Sequence, residues 1–129
     1  MKVELQNKLF EKYPKIFKQK NDSMQTTCMC WGMECGDGWY WLIDNLCESI
    51  QSYTDNNKHL DIVQLETTQI KEKFGTLSFY TYGGDKLIEG MIWLAGHQSA
   101  SICEVCGATE NVTQSSGWIK TRCDKCANI

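Results

Sequence analysis

Two C-x-x-C pairs, Cys103-Glu104-Val105-Cys106 and Cys123-Asp124-Lys125-Cys126, stand sixteen residues apart near the end of the chain. A two-residue gap lets both sulfurs of a pair reach one ion, and two such bites complete the tetrahedral shell that Zn²⁺ takes in structural sites. Four thiolates leave no position open for water or substrate. The expected cofactor is therefore one structural Zn²⁺ held by Cys103, Cys106, Cys123 and Cys126. Gly107 follows the first pair where the chain must turn tightly, and Asn111 to Gly117 supply a polar, turn-rich tip, so the segment reads as a short zinc ribbon. A pair of disulfides and a thioredoxin-like redox motif are the competing readings. Neither a secretory leader nor a βαβ pattern accompanies the cysteines.

The remaining chemistry-bearing residues carry weaker patterns. Cys28-Met29-Cys30, Cys35 and Cys47 raise the question of a second metal, but C-x-C followed by a four-residue gap is not a common zinc spacing. Small buried hydrophobes are the default for these four. His59 sits in a polar stretch and His97 six residues before Cys103, and both read as solvated or helix-end residues. Zinc deaminases need an H-x-E segment and a proline before their C-x-x-C; His59-Leu60-Asp61, His97-Gln98-Ser99 and Ile102 stand in those places. The chain has no P-loop, dinucleotide glycine fingerprint, H-E-x-x-H or G-x-S-x-G. A non-enzymatic protein is expected.

The elements that must position the cysteines are legible from periodicity. Leu5, Leu9 and Phe10 recur at helical spacing up to Tyr13-Pro14, and residues 18–27 are polar and aperiodic, hence a loop. Trp39, Leu42, Ile43, Leu46, Ile50 and Tyr53 form the strongest helical pattern, with Asp37 placed as its N-cap. Strands are expected at 62–67 and 76–82, joined through Lys73-Phe74-Gly75-Thr76 as a hairpin, with Leu77 and Phe79 on one face. Gly83-Gly84 ends the second strand, and Asp85 caps a helix carrying Leu87, Ile88, Met91, Leu94 and Ala95 on one side. The fold class is α+β, with helices packed on a small antiparallel hairpin or sheet and a C-terminal zinc ribbon. A chain of 129 residues is expected to form one domain, 1–100 as body and 101–129 as ribbon.

Charge narrows the partner class. The net charge is −3; residues 1–20 hold six lysines against Glu4 and Glu11, whereas residues 21–100 hold four lysines against eleven acids. Outside its first helix the chain lacks the basic face that phosphate binding needs, so nucleic acid is not the expected partner. The N-terminal stretch is too polar for a signal peptide and no apolar run approaches the ~20 residues of a membrane span, which points to a reducing cytosol. Trp31, Trp39, Tyr40 and Trp41 crowd a glycine turn, and Tyr40 and Trp41 project roughly 100° and 200° round the helix from Trp39. One of them either joins a wider core or waits exposed for a partner. Asp37, Gly38, Trp39 and Trp41, with Lys71 and Lys73 on the hairpin, are the candidate binding residues; free amides at the Asp37 helix start would suit a phosphorylated or nucleotide-type ligand.

Three stretches also carry a resemblance: Glu34-Cys35-Gly36-Asp37-Gly38-Trp39, Ile70-Lys71-Glu72-Lys73-Phe74-Gly75-Thr76-Leu77-Ser78-Phe79-Tyr80, and the two cysteine pairs. Over about two thirds of its length the chain resembles a group of small phage and prophage zinc-ribbon proteins of uncharacterised function. The resemblance implies a phage origin, a zinc ribbon and residence in an infected bacterial cytosol. It supplies no activity or catalytic residue. The expectation is a zinc-stabilised binding protein that engages a host protein, for instance to counter a host defence, or a nucleotide-type small ligand. A nucleic-acid accessory role and a small enzyme are the alternatives.

Overall fold

The structure is a computed structural model that describes residues 1–129. Helix α1 (Val3–Lys12) lays Leu9 into the core. The chain then passes through two 3-10 turns to strand β1 (Met33–Glu34) and a third 3-10 turn at Asp37–Trp39, which leads directly into helix α2 (Tyr40–Asn56). Strands β2 (Glu66–Lys73) and β3 (Thr76–Tyr82) form the main hairpin, and helix α3 (Lys86–Ser99) follows. Two short strands, β4 (Val112–Gln114) and β5 (Thr121–Cys123), make the cysteine hairpin at the end.

The α+β class and the C-terminal cysteine hairpin stand as read from sequence, but the main sheet is mixed rather than antiparallel. Its order is β1-β2-β3, and β1 runs parallel to β2 with Met33 beside Ile70 and Glu34 beside Lys71. A two-residue strand has no periodicity to read. Met33 nevertheless matters, because it is fully buried with Leu9, Ile16, Phe17, Met29, Trp39, Ile43, Ile50, Leu65, Ile70 and Ile88 in one core.

The expected first strand was displaced. Ile62 to Leu65 are irregular, and the ladder starts at Glu66 and continues to Lys73. Leu65 is plugged into the core instead of paired, and a bulge between Thr67 and Gln69 breaks the alternation that would have marked the true strand. The connection and second strand fall where expected. Lys73 pairs with Thr76 across Phe74 and Gly75, whose φ angles of 52° and 80° give the doubly left-handed turn that matches strand twist. Leu77 and Phe79 share the buried face.

Asp85 caps α3, accepting the Ile88 amide at 3.0 Å. The inner stripe of that helix is narrower than expected. Ile88, Ala95 and Ser99 are buried, whereas Leu87 and Leu94 face solvent. Ser99 belongs inside because its hydroxyl accepts the Leu77 amide at 2.8 Å and donates to the Gly96 carbonyl at 2.6 Å, locking the helix end to β3. The capping role expected of Asp37 is also corrected: α2 has no side-chain cap, and Asp37 instead accepts the Lys2 amide at 2.7 Å at the start of α1.

Candidate metal centre and the groove beside it

Each cysteine reaches the centre by a local turn. In the first pair the Gly107 amide donates to the Cys103 carbonyl at 2.9 Å and the Cys103 amide to the Ala108 carbonyl at 2.8 Å. Gly107 closes this loop at φ 84°, where a β-carbon would be strained. Cys123 ends β5, and Cys126 sits on the 3-10 turn that follows it. The four sulfurs lie within 4.8 Å of one another, and Cys106 and Cys123 are 3.7 Å apart. Metal–sulfur bonds of about 2.3 Å around a tetrahedral ion imply sulfur–sulfur edges of about 3.8 Å, so this quartet could hold a metal ion. No disulfide links them.

The thiols answer to each other's field. Burial raises Cys103, but amides of Cys123, Cys106 and Val105 outweigh it and bring the thiol down to about 6. Cys126 is pushed up to about 12 by burial and by its neighbouring sulfurs. Amide donors thus favour the Cys103 thiolate, while the neighbouring sulfurs hold Cys106 and Cys126 toward the thiol form. Cys103, Cys123 and Cys126 are buried; Cys106 alone is exposed.

The residue that joins this centre to the body is Glu104, the first spacer of the first pair. Its carboxylate accepts the Gly36 amide at 2.9 Å, its carbonyl accepts the Gly38 amide at 2.8 Å, and its own amide donates to the Thr121 carbonyl at 3.0 Å. Beside it the indole N–H of Trp39, a fully buried side chain, donates to the Ile102 carbonyl at 2.9 Å. A β-carbon on Gly38 would run into the Cys103 and Glu104 carbonyls, and one on Gly36 into the Glu104 carbonyl. Gly36-Asp37-Gly38-Trp39 is therefore a socket for the first cysteine pair. Of the amides expected to cradle a phosphate, that of Gly36 is already answered by the Glu104 carboxylate and that of Gly38 by the Glu104 carbonyl.

A groove of about 800 Å³ opens beside this junction. Leu5 and Lys8 of α1, Tyr40, Trp41 and Asn45 of α2, His97 and Gln98 of α3, and Cys106, Gly107 and Thr109 of the knuckle line it. Of the candidate binding residues, Asp37, Gly38 and Trp41 lie along this groove, with Trp41 70% exposed. Trp39 faces the core. Lys71 and Lys73 do not border the groove; Lys71 lies on β2 opposite Ser78, and Lys73 lines a separate small cleft at the hairpin tip. His97 lies at the groove stacked on Trp93, ring centroids 5.5 Å apart, while His59 is an exposed residue of a 3-10 turn.

Cys28, Cys30, Cys35 and Cys47 do not gather into a second ligand group. Cys28 is exposed, Cys47 is packed inside α2, and burial pushes the Cys35 thiol up to about 12. The residue that sequence reasoning missed is Glu104. A lone acid between two cysteines carries no period, and only the pairing of two small glycines upstream hinted at a backbone arriving from elsewhere. No family model matches the chain, and neither does any curated protein or solved structure.

Proposed function

We propose that this is a zinc-stabilised binding protein with no catalytic task, in which one Zn²⁺ closes the two cysteine pairs and so fixes one wall of a partner-binding groove. The single observation that carries the reading is the position of the first pair: Cys103 and Glu104 seat in the Gly36–Trp39 socket, while Cys106, Gly107 and Thr109 form part of the groove. Zinc, when bound, supplies the positive charge that lets four adjacent sulfurs ionise together. The protein's own residues do the rest by shaping and lining.

A protein partner is favoured over a nucleotide, because the Gly36, Gly38 and Trp39 amides at the helix start are bonded within the chain and an indole at Trp41 stands largely in solvent. Exposed tryptophans are the residues most enriched at binding hot spots. The resemblance to phage and prophage proteins supports a host protein as that partner, within an infected bacterium, with interference in a host defence as the proposed purpose. No helix is long and apolar enough to cross a membrane.

Native mass spectrometry of the purified chain is expected to return one zinc per protein. Capture of one identified host protein should be lost with Trp41→Ala. A metal-free spectrum, or capture unchanged in that variant, overturns the reading.

A further inference from the structure

The tips of the two hairpins meet, and each presents an aromatic ring to solvent. Phe74, in the β2–β3 turn, is 72% exposed, and Trp118, in the β4–β5 loop, is 82% exposed, the most exposed large apolar side chains in the protein. They line one cleft of about 250 Å³ together with Glu72, Lys73, Gly117 and Ile119. Drug-sized ligands occupy pockets of about 300 Å³ and upward, so this cleft is on the scale of one flat ring system.

Phe74 sits there at a conformational cost. Its φ of 52° belongs to a turn position that Asn, Asp or Gly fills without strain, and a bulky residue in that region is a genuine outlier. Strain of this kind persists where a side chain is wanted at a functional position. Hydrogen bonds tie the two hairpins together beneath the rings. Gln114 donates to the Gly75 carbonyl at 3.3 Å, and the Thr121 hydroxyl donates to the same oxygen. A β-carbon on Gly75 would meet Ile119, Gln114 and Thr121.

The charge around the rings is positive. Lys73 lies over Phe74 and Lys120 over Trp118, at 5.9 and 5.7 Å from the ring centroids. Lys120 also lines a second small pocket on the cysteine hairpin with Thr113, Ser115, Arg122 and Ala127. Glu72 is the one acid in the cleft, and its two oxygens are already taken by Lys120 at 3.0 Å and the Gly75 amide at 3.0 Å. Lys73 and Arg122 have no carboxylate partner, and the Arg122 Nε is buried without an acceptor.

We infer that this cleft is a stacking site for a base of single-stranded nucleic acid, with Phe74 and Trp118 as its walls and Lys73, Lys120 and Arg122 meeting the flanking phosphates. Aromatic platforms beside cations are how sequence-tolerant single-strand binding works. Lys73 and Lys120 stand at the hairpin tips, and Arg122 follows two residues after Lys120 on β5, opposite Thr113. The site shares no lining residue with the Trp41 groove, so the two surfaces stand or fall separately.

Fluorescence anisotropy of labelled oligothymidylate and oligouridylate, titrated with the full-length zinc-loaded protein, tests this. Binding is expected at about 50 mM salt and should weaken toward about 200 mM with a log–log slope near −2, from three phosphate contacts at roughly 0.7 each. Trp118→Ala and Phe74→Gly should each weaken it at least about fivefold. Phe74→Gly should at the same time raise the melting temperature, since glycine accepts the positive φ, which separates lost stacking from lost folding. Trp31→Ala removes another exposed indole, outside both pockets, and should leave binding unchanged. No anisotropy change with either oligomer at low salt, an equal loss in Trp31→Ala, or full binding by Trp118→Ala overturns the inference.

Discussion

The carboxylate of Glu104 lies 2.9 Å from the amide of Gly36, sixty-eight residues earlier in the chain. Through this contact the Glu104 carboxylate places a negative charge at the turn that starts α2, where a helix's partial positive charge favours it, and the Glu104 carbonyl accepts the Gly38 amide beside it. The cysteine hairpin and the body are thus joined by hydrogen bonds to the main chain of the Gly36–Gly38 turn, not only by side-chain packing.

Gly38→Ala should loosen this joint. The backbone of Gly38 is outside the left-handed region, so the whole penalty comes from the new methyl meeting the Cys103 and Glu104 carbonyls. Overpacking against main chain costs about 1–3 kcal/mol, and chemical denaturation should show a loss in that range with faster zinc release to a chromogenic chelator. Gly90→Ala is the counterpart, since nothing lies within 4 Å of its β-position in α3. It should gain up to about 1 kcal/mol from helix propensity.

On the proposed zinc site, stripping the metal should undo more than the cysteine hairpin. Structural zinc contributes an apparent roughly 10–16 kcal/mol of binding free energy in small modules, enough to decide whether β4 and β5 form at all. With the knuckle unfolded, the indole N–H of Trp39 loses the Ile102 carbonyl. Its ¹⁵N-indole resonance should shift on chelation, and likewise in Cys123→Ala. A resonance that stays put would show that the body holds Trp39 unaided.

Tyr13 donates to the buried Asp44 carboxylate at 2.6 Å, and Lys12 reaches the same group from solvent at 3.1 Å. Burial, then the bond to Asp44, raises the Tyr13 hydroxyl well above its ordinary value of 10.0. Its neutral form is the one that folds, so this stability is whole below pH 10.0 and declines as pH rises beyond it. Tyr13→Phe should flatten the alkaline fall in melting temperature. It should also cost about 1–3 kcal/mol at neutral pH by leaving a buried carboxylate short of a donor.

Glu72 behaves in the opposite sense. Burial alone would raise it, but the Gly75 amide and Lys120 outweigh that and hold the carboxyl below its ordinary 4.5. A lowered folded value means stability present above pH 4.5 and lost as pH falls through the folded value. Melting curves in acid should therefore show Glu72→Gln less pH-sensitive than the parent, with the gap between them closing as pH falls below 4.5.

How much of this was written in local pattern can be judged residue by residue. The cysteine spacing, the Phe74-Gly75 turn, β3 and the Asp85 cap depend on neighbours in sequence, and local chemistry was enough to place them. Asp37 was misassigned because its partner, the amide of Lys2, belongs to another helix. Leu87 and Leu94 looked like core because helical periodicity counts apolar residues without knowing how wide the buried stripe is. The groove brings together α1, α2, α3 and the knuckle, and no single stretch carries its signal.

Chains leave the ribosome amino end first, so the Gly36–Trp39 corner is made sixty-eight residues ahead of its acceptor Glu104. At roughly 5–20 residues per second the nascent polypeptide waits several seconds with that corner unanswered. A product that stops before Ile102 would leave the central indole without the carbonyl it binds.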